Sequence, residues 1–206
     1  MPRLAGAQLL GEIRADRPLL VVALETEARH LHVHRLPILV TGLGKVNAAA
    51  SLAVALAGVR PSQVVNLGTA GALRPGLFGP HEVTTVRQHD LDSPSIERLT
   101  GVWPGSDLTT DAPAGTPPIG LSTGDRFVAD AQEAAALARV SSLVDMEGYA
   151  VARVAAAFGV PVRLVKTVSD SADDDAVRDW QGGIQARAEE LGLWVHRHLY
   201  GDAAPG

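Results

Sequence analysis

Short apolar runs alternate with longer alanine-rich stretches along the chain, a pattern that predicts strands followed by helices. The predicted strands are continuous apolar or alternating segments, at residues 19–23, 38–40, 64–67, 81–89, 119–122, 143–145 and 162–168. The predicted helices begin at residue 25 and then cover residues 47–58, 129–138, 148–158 and 177–200. Regular alternation of this kind predicts an α/β fold in which helices cover a sheet.

Glycine, proline and small polar residues mark the expected connections. Gly-Thr-Ala-Gly at residues 68–71 predicts a tight turn, and residues 92–118 predict a long loop. Residues 170–175 are expected to form an acidic loop, and Gly201 to Gly206 a frayed tail. Without an internal repeat or a clear linker, residues 1–206 are expected to form a single domain.

Composition narrows the class of partner. The chain has 206 residues, 46% hydrophobic and 20% charged, with 18 Lys+Arg against 23 Asp+Glu and a net charge of −5. This balance predicts no nucleic acid and no membrane surface as partner, and favours a small molecule. The absence of cysteine excludes disulfides, thiolate metal sites and cysteine nucleophiles, and suits a cytoplasmic protein. We expect no signal peptide and no membrane-spanning helix, since the apolar runs are strand-sized.

Polar residues follow several predicted strands. They are Glu27, residues 42–45, residues 68–71, residues 145–147 and residues 169–170. Each alone has a structural explanation, such as a carboxylate in the first turn of a helix or a helix N-cap. Because ligands of open α/β sheets gather beyond the carboxyl ends of the strands, the set together predicts a binding site.

The glycine pair Gly42 and Gly44, followed by Lys45, does not fit either common phosphate loop. A P-loop requires glycine where Leu39 stands and Ser or Thr where Val46 stands, and a dinucleotide loop requires glycine at position 47. We therefore expect neither ATP nor NAD, and no other cofactor. Residues 68–71 remain open to two interpretations, a backbone nest for an anion or sugar hydroxyl and a purely structural turn.

Two clusters resemble metal ligands. His30, His32 and His34 share one face if their segment is a strand, but no carboxylate accompanies them at a fixed spacing. The three aspartates at residues 173–175 are more typical of a solvated loop than of a cation site. We expect no metal.

Read in order, the motifs resemble those of the nucleoside phosphorylase/nucleosidase superfamily, most closely the 5′-methylthioadenosine/S-adenosylhomocysteine nucleosidases. The resemblance covers about residues 19–198 and rests on Ala-Leu followed by Glu27, TGLGKVNAA at 41–49, NLGTAG at 66–71, HDLD at 89–92, STGDRF at 122–127, DMEG at 145–148 and SDSAD at 169–173. It implies a three-layer α/β sandwich with a mixed central sheet flanked by helices, commonly a homodimer.

The resemblance also implies a reaction, hydrolysis of the N-glycosidic bond of a purine nucleoside with water as nucleophile. Such cleavage passes through an oxocarbenium-like sugar and requires a protonated leaving base and an activated water. By resemblance, Asp170 protonates purine N7 with Ser169 beside it, and Glu27 deprotonates the water. Glu147 binds the ribose hydroxyls, and Met146 lies against the sugar.

Further substrate contacts follow from the same resemblance. Phe127 stacks on the purine and the main chain near Val128 reads its edge. The remaining implied substrate-binding residues line the ribose or the 5′ group, and these are Leu24, Leu43, Thr69, Ala70, Gly71 and Asp145.

One position separates hydrolases from phosphorylases, and two others depart from the family pattern. Phosphorylases of the superfamily place an arginine before the glycine turn, where this chain has Asn66 and Leu67, so water is favoured over phosphate. Lys166 stands where the closest relatives have arginine. The segment after Asp92 lacks an aromatic pair that covers the 5′ group from a neighbouring subunit, with Ile96 and Trp103 as substitutes. An aspartate at 170 favours a 6-aminopurine.

Three alternatives to a nucleosidase of this type stay open. The first is a futalosine or aminodeoxyfutalosine hydrolase, which uses the same scaffold with a bulkier 5′ substituent. The second is a phosphate-dependent purine nucleoside phosphorylase. The third is a nucleoside-binding protein without catalysis, which would have no need of the water-activating Glu27.

Overall fold

The computed structural model describes residues 7–172 and 176–200. The predicted acidic segment at 173–175 and the predicted tail at 201–206 lie outside these residues. The strands are β1 (Gln8–Leu10), β2 (Leu19–Val22), β3 (Ile38–Val40), β4 (Val64–Ala72), β5 (Pro80–Val83), β6 (Thr85–Gln88), β7 (Leu108–Thr109), β8 (Gly120–Thr123), β9 (Leu143–Asp145) and β10 (Val162–Asp170). The α-helices are α1 (Glu25–Ala28), α2 (Lys45–Gly58), α3 (Ser93–Thr100), α4 (Ala131–Leu137), α5 (Gly148–Phe158) and α6 (Ala176–Val195).

All these strands belong to one mixed sheet of 10 strands. Its main path runs β1-β3-β2-β4-β9-β8-β6-β7, while β10 pairs with β4 and β5. The pairs β2–β3, β2–β4, β4–β10, β6–β8 and β8–β9 are parallel, whereas β1–β3, β4–β9, β5–β10 and β6–β7 are antiparallel. The prediction of a mixed central sheet is confirmed.

Helices cover both faces of the sheet, because side chains alternate between the faces along each strand. On one face, Val64 and Leu164 pack with Leu52 of α2 and Ala155 of α5. On the other face, Val65 packs with residues of α1 and α6, including Ala28 and Leu191. The result is the three-layer arrangement that the resemblance implies.

The central strand β4 is longer than predicted. Residues 68–71 continue the strand instead of forming a turn, and β10 likewise continues to Asp170. The two strands pair in parallel from Val64↔Val162 to Gly71↔Asp170, with an irregularity between Val168 and Asp170. Small side chains at 68–71 are thus compatible with a strand that has a close neighbour, which local sequence does not distinguish from a turn.

Two other predictions were wrong in part. The alternating segment at 81–89 forms two strands, because β5 pairs with β10 whereas β6 pairs with β7 and β8. The predicted loop at 92–118 contains α3 and β7. Helix α3 begins where the Asp92 side chain accepts a hydrogen bond from the Ser95 amide at 3.2 Å, an N-cap.

The core between β4 and α2 offers a direct test of this packing. We predict that Leu52→Ala, at a side chain with no solvent exposure, lowers the free energy of unfolding by about 2–5 kcal/mol through lost burial and a residual cavity. Urea denaturation measures the change. Leu99→Ala, at a residue 85% exposed, is the matched control and is expected to change stability by less than about 0.5 kcal/mol. Equal effects of both substitutions would contradict this core.

Candidate active site

One cavity of about 360 Å³ lies at the ends of the central strands. The residues to which the resemblance assigns a role all line it, although they come from many elements: Leu24, Glu27, Leu43, Thr69, Ala70, Gly71, Phe127, Val128, Asp145, Met146, Glu147, Ser169 and Asp170. Of the other residues in the predicted strand-end set, Gly68 lines the cavity, whereas Gly42, Gly44 and Lys45 do not. The cavity also has lining residues that the sequence did not assign to the site, namely Ala23, Asn66, Leu67, Arg126, Val144, Lys166 and Trp180.

Glu27 is 4% exposed and is held by three backbone amides. Its Oε2 accepts hydrogen bonds from the amides of Ala23 at 3.1 Å and Leu24 at 3.0 Å, because the side chain folds back over the start of α1. Its Oε1 accepts from the Thr69 amide at 3.1 Å. Burial raises the pKa of Glu27 above its ordinary value, although Lys166 and the three amides oppose that shift. A carboxylate has about four lone-pair sites, so one remains for a bound molecule.

Lys166 is the largest fully buried side chain among the described residues, at 2% exposure. Its Nζ lies 2.9 Å from Asp145 Oδ2. Burial alone lowers the pKa of Lys166, but the carboxylates of Asp145, Glu147 and Glu27 outweigh it and the pKa is raised. Lys166 therefore carries a positive charge at the base of the cavity.

Asp145 is occupied by protein donors. Its Oδ1 accepts from the Thr123 hydroxyl at 2.5 Å, and its Oδ2 accepts from the Gly148 amide at 2.8 Å as well as from Lys166. These bonds tie β8, β9, α5 and β10 together at one carboxylate. The structure thus places Asp145 at the cavity, but its bonds are made to the protein.

Glu147 faces the glycine pair. Its Oε1 accepts a hydrogen bond from the Gly44 amide at 2.7 Å, and no described residue donates to its Oε2. Gly42 and Gly44 have φ of +83° and +88°, a left-handed conformation that favours glycine and turns this amide toward the cavity. Burial, together with the neighbouring Asp145, raises the pKa of Glu147 to about 8. Glu147 therefore retains its proton at neutral pH.

The loop that carries Gly44 is anchored by charges. The Lys45 amide donates to Asp125 Oδ1 at 2.8 Å, and the Lys45 ammonium lies 2.5 Å from Asp90 and 3.5 Å from Asp125. The Asp125 amide in turn donates to Asp90 Oδ2 at 2.9 Å. The amides of Gly44 and Lys45, where α2 begins, thus donate to carboxylates of this protein.

Asp170 lies at the end of β10. The Ser169 hydroxyl donates to Asp170 Oδ2 at 2.6 Å, and the Ala172 amide donates to Oδ1 at 2.9 Å. Across the sheet, a Cβ on Gly71 would stand 2.9 Å from Asp170 Oδ1. A larger residue at 71 is therefore incompatible with this position of Asp170.

Apolar side chains form the rest of the wall. Val128 is buried, whereas Leu43 and Phe127 are 49% and 43% exposed and lie at the mouth. Arg126, also at the cavity, donates to Glu133 on α4 at 2.5 Å. Neither Ile96 nor Trp103 is among the described residues that line this cavity.

The three histidines at positions 30, 32 and 34 do not lie on a strand. His32 to His34 lie in a short 3₁₀-helix, so the three histidines no longer alternate along a strand. Within residues 7–172 and 176–200, no three His, Asp or Glu side chains are arranged to hold a metal ion. In the same residues, no helix has the length and apolar character needed to span a membrane.

Several carboxyl groups around a largely apolar cavity are an arrangement suited to acid–base chemistry. A profile of the phosphorylase superfamily matches residues 2–119 and 120–193, so the chain belongs to the phosphorylase superfamily.

Two relatives place the chain more narrowly. The protein named 5′-methylthioadenosine/S-adenosylhomocysteine nucleosidase in Marinomonas sp. strain MWYL1 is 30% identical over 186 residues, covering 80% of this chain and 80% of the relative. Its namesake in Exiguobacterium sp. strain AT1b is 30% identical over 193 residues, covering 80% and 83%. By sequence, the chain belongs with these nucleosidases.

Solved structures share the fold. The nucleosidase of Neisseria meningitidis, in complex with methylthio-immucillin-A, has a TM-score of 0.77 and 22% identity, with 87% of this chain and 96% of that chain covered. The futalosine hydrolase of Helicobacter pylori has a TM-score of 0.78 and 21% identity, with 90% and 98% covered. At these identities the likeness shows the fold alone.

The raised pKa of Glu147 predicts a pH dependence of stability. Above its ordinary pKa of 4.5 the unfolded chain loses this proton, while the folded chain keeps it to about pH 8. The folded state then binds more protons, so the free energy of unfolding falls as pH rises from about 4.5 to 8. Urea denaturation across this range measures the slope.

Glu147→Gln is the variant that isolates this effect, because glutamine is neutral at every pH. We expect it to flatten the slope and to be more stable than the wild type at pH 8. Glu97→Gln, at an exposed position of α3, is the control and should leave the slope unchanged. An unchanged slope in Glu147→Gln would contradict the assignment.

Proposed function

We propose that this protein hydrolyses the N-glycosidic bond of a purine nucleoside, with 5′-methylthioadenosine and S-adenosylhomocysteine as substrates. The observation that carries the proposal is the convergence of Glu27, Glu147 and Asp170 on one largely apolar cavity. The two relatives described above bear the names of enzymes for these substrates.

In this proposal Glu27 is the general base. Three amides fix its carboxylate, and the remaining lone pair of Oε1 binds the attacking water. Backbone donors do not reorganise during the reaction, so the carboxylate is oriented before substrate arrives. The proton moves from the water to Glu27 as the water oxygen bonds to the anomeric carbon.

Asp170 serves the leaving base. Breaking the glycosidic bond leaves negative charge on the purine, which protonation at N7 neutralises. The Ser169 hydroxyl and the Ala172 amide hold the Asp170 side chain in place for this transfer. Phe127 and the main chain of Val128 contact the purine, and Leu24 and Leu43 contact the 5′ group.

Glu147 binds the ribose. Because the carboxyl group keeps its proton to about pH 8, it both donates and accepts hydrogen bonds toward two neighbouring hydroxyls. Gly44 fixes one oxygen, and the other is left for the ligand. Met146, the preceding residue, packs against the sugar.

Water is favoured over phosphate as the nucleophile, because basic side chains at the cavity are already paired. Lys166 contacts Asp145 and Arg126 contacts Glu133. Among the described lining residues these are the basic ones. A phosphate dianion in the cavity would therefore have to compete with a carboxylate for each of them.

A futalosine-type hydrolase is the second candidate. Leu43 and Phe127 are about half exposed, so the mouth is open toward a substituent larger than a methylthio group. The fold shared with the Helicobacter pylori futalosine hydrolase is compatible with it.

We also propose a homodimer that acts in the cytoplasm, in methionine salvage. Leu43 and Phe127 at the cavity, and Val46 on α2, expose apolar side chains, as an interface with a second copy requires. Sedimentation velocity measures the assembly, and a monomer at micromolar concentration would contradict it.

A substrate panel tests the proposed function. The purified protein is incubated with 5′-methylthioadenosine, S-adenosylhomocysteine, futalosine, inosine and adenosine, each with and without phosphate, and free base and sugar product are measured. We expect adenine and free 5-methylthioribose from the first substrate, at a rate independent of phosphate. Formation of a sugar 1-phosphate would contradict hydrolysis, and faster release from futalosine would favour the second candidate.

Two neutral variants test the acid–base assignment. We predict that Glu27→Gln and Asp170→Asn each lower kcat by about 10²–10⁴-fold, since each removes one proton-transfer group while preserving size. Because burial raises the pKa of Glu27, wild-type kcat/KM should fall on acidification at a pH above that of an ordinary glutamate. Glu25→Gln, in the same first turn but outside the cavity lining, is the matched control. Near wild-type rates in either active-site variant would contradict its role.

A further inference from the structure

Trp180 lies on α6, the helix that follows Asp170 in the chain, and its side chain lines the cavity. Its indole Nε1 donates a hydrogen bond to Thr69 Oγ1 at 3.1 Å, and both residues line the cavity. Thr69 lies on β4, so this bond joins the helix after Asp170 to the strand beside Glu27. No motif in the sequence singles out this tryptophan.

This hydrogen bond determines which further hydrogen bonds the Thr69 hydroxyl can make. An indole N–H is only a donor, so the threonine oxygen must accept. A hydroxyl also has one proton, and in the part of the chain that the structure describes no other protein group is hydrogen-bonded to Thr69 Oγ1. That proton is therefore available to a molecule bound in the cavity.

The position of Thr69 indicates which molecule receives it. The Thr69 amide donates to Glu27 Oε1 at 3.1 Å, and both residues line the cavity in which Glu27 is proposed to bind the water. Glu27 accepts one proton of that water and takes no part in holding its lone pairs. If the Thr69 hydroxyl donates a hydrogen bond to one lone pair of the water oxygen, the direction of the other lone pair is fixed.

We propose that Trp180 is a positioning residue that orients the Thr69 hydroxyl toward the water activated by Glu27. The inference rests on the proposed hydrolysis. In this arrangement Trp180 acts through Thr69, the residue to which its indole N–H group donates. In this role the N–H group of the Trp180 side chain is required, whereas the aromatic ring itself is not.

A double-mutant cycle tests the dependence on the N–H group. Trp180→Phe keeps an aromatic ring and removes the donor, and we expect kcat to fall about tenfold, the size of one hydrogen bond, with KM within about threefold. Thr69→Val is expected to lower kcat by at least as much. The double variant should be no slower than Thr69→Val alone, because the indole then has no hydroxyl to orient.

Two controls separate this role from packing. Thr69→Ser retains the hydroxyl and should keep kcat within about threefold of wild type. Trp194→Phe makes the same substitution on the same helix, at a core residue outside the cavity lining, and should leave kcat unchanged. Loss of activity in Trp194→Phe equal to that in Trp180→Phe would overturn the inference in favour of general packing.

The remaining outcomes distinguish the two proposals. Multiplicative losses in the double variant, or wild-type kcat in Trp180→Phe, would overturn the role of Trp180 and leave the hydrolase assignment intact. Inactivity of the wild type toward every nucleoside would overturn both. The ¹H–¹⁵N indole resonance of Trp180 gives a readout without substrate: it should shift in Thr69→Val and not in Thr69→Ser, and the absence of such a shift would also overturn the inference.

Discussion

The ammonium group of Lys166 is the charge on which the rest of the site depends. An isolated ammonium is costly to bury, and here Asp145 contacts it at 2.9 Å, while Glu27, and Glu147 once it is ionised, add to the field that keeps it charged. In return, its charge lowers the pKa of Glu27 and Glu147 against the effect of burial. If all three of these buried carboxyl groups were ionised, their negative charge would exceed the single positive charge of Lys166. Because Glu147 keeps its proton, this excess of negative charge is smaller. Each ionisation state in the cavity is thus conditional on the others.

The register of two parallel strands makes room for these charges. Gly68 pairs with Lys166 and Gly71 pairs with Asp170 across β4 and β10. A Cβ at position 68 would stand 3.2 Å from Glu27 Oε1 and 3.3 Å from Lys166 Nζ. Space therefore requires glycine at 71, and a side chain at 68 would displace Glu27 or Lys166 by a few tenths of an ångström; neither glycine has the positive φ that a turn would impose. The same glycines that made the segment look like a turn are what allow a strand to run past buried carboxylates.

Local patterns sufficed where one element decides the outcome. The apolar runs of β3, β9 and α5 were predicted with the bounds observed, and polar residues at strand ends pointed to the cavity. Predictions failed where the structure depends on contacts between residues far apart in the sequence. Residues 81–89 divide into two strands that pair with different partners. The hydrogen bond from Trp180 to Thr69, which are 111 residues apart, has no corresponding pattern in the sequence. The ion pair between Lys166 and Asp145 is equally unpredictable from the sequence, because no local pattern around a lysine in an apolar strand identifies its counterion.

The proposal that water and not phosphate is the nucleophile rests on the same ion pair between Lys166 and Asp145. Binding a phosphate dianion requires donors that are not already committed to carboxylates. Lysine is a compact point charge that makes close contact with one carboxylate, whereas arginine presents a fork of five donors. Lys166 is paired with Asp145, so it contributes to the electrostatic field of the cavity but is not available to bind phosphate. Asn66, which precedes Gly68 on β4, has only neutral polar groups. A buried cation that serves the carboxylates of the protein therefore favours an uncharged nucleophile, which a carboxylate such as Glu27 can activate.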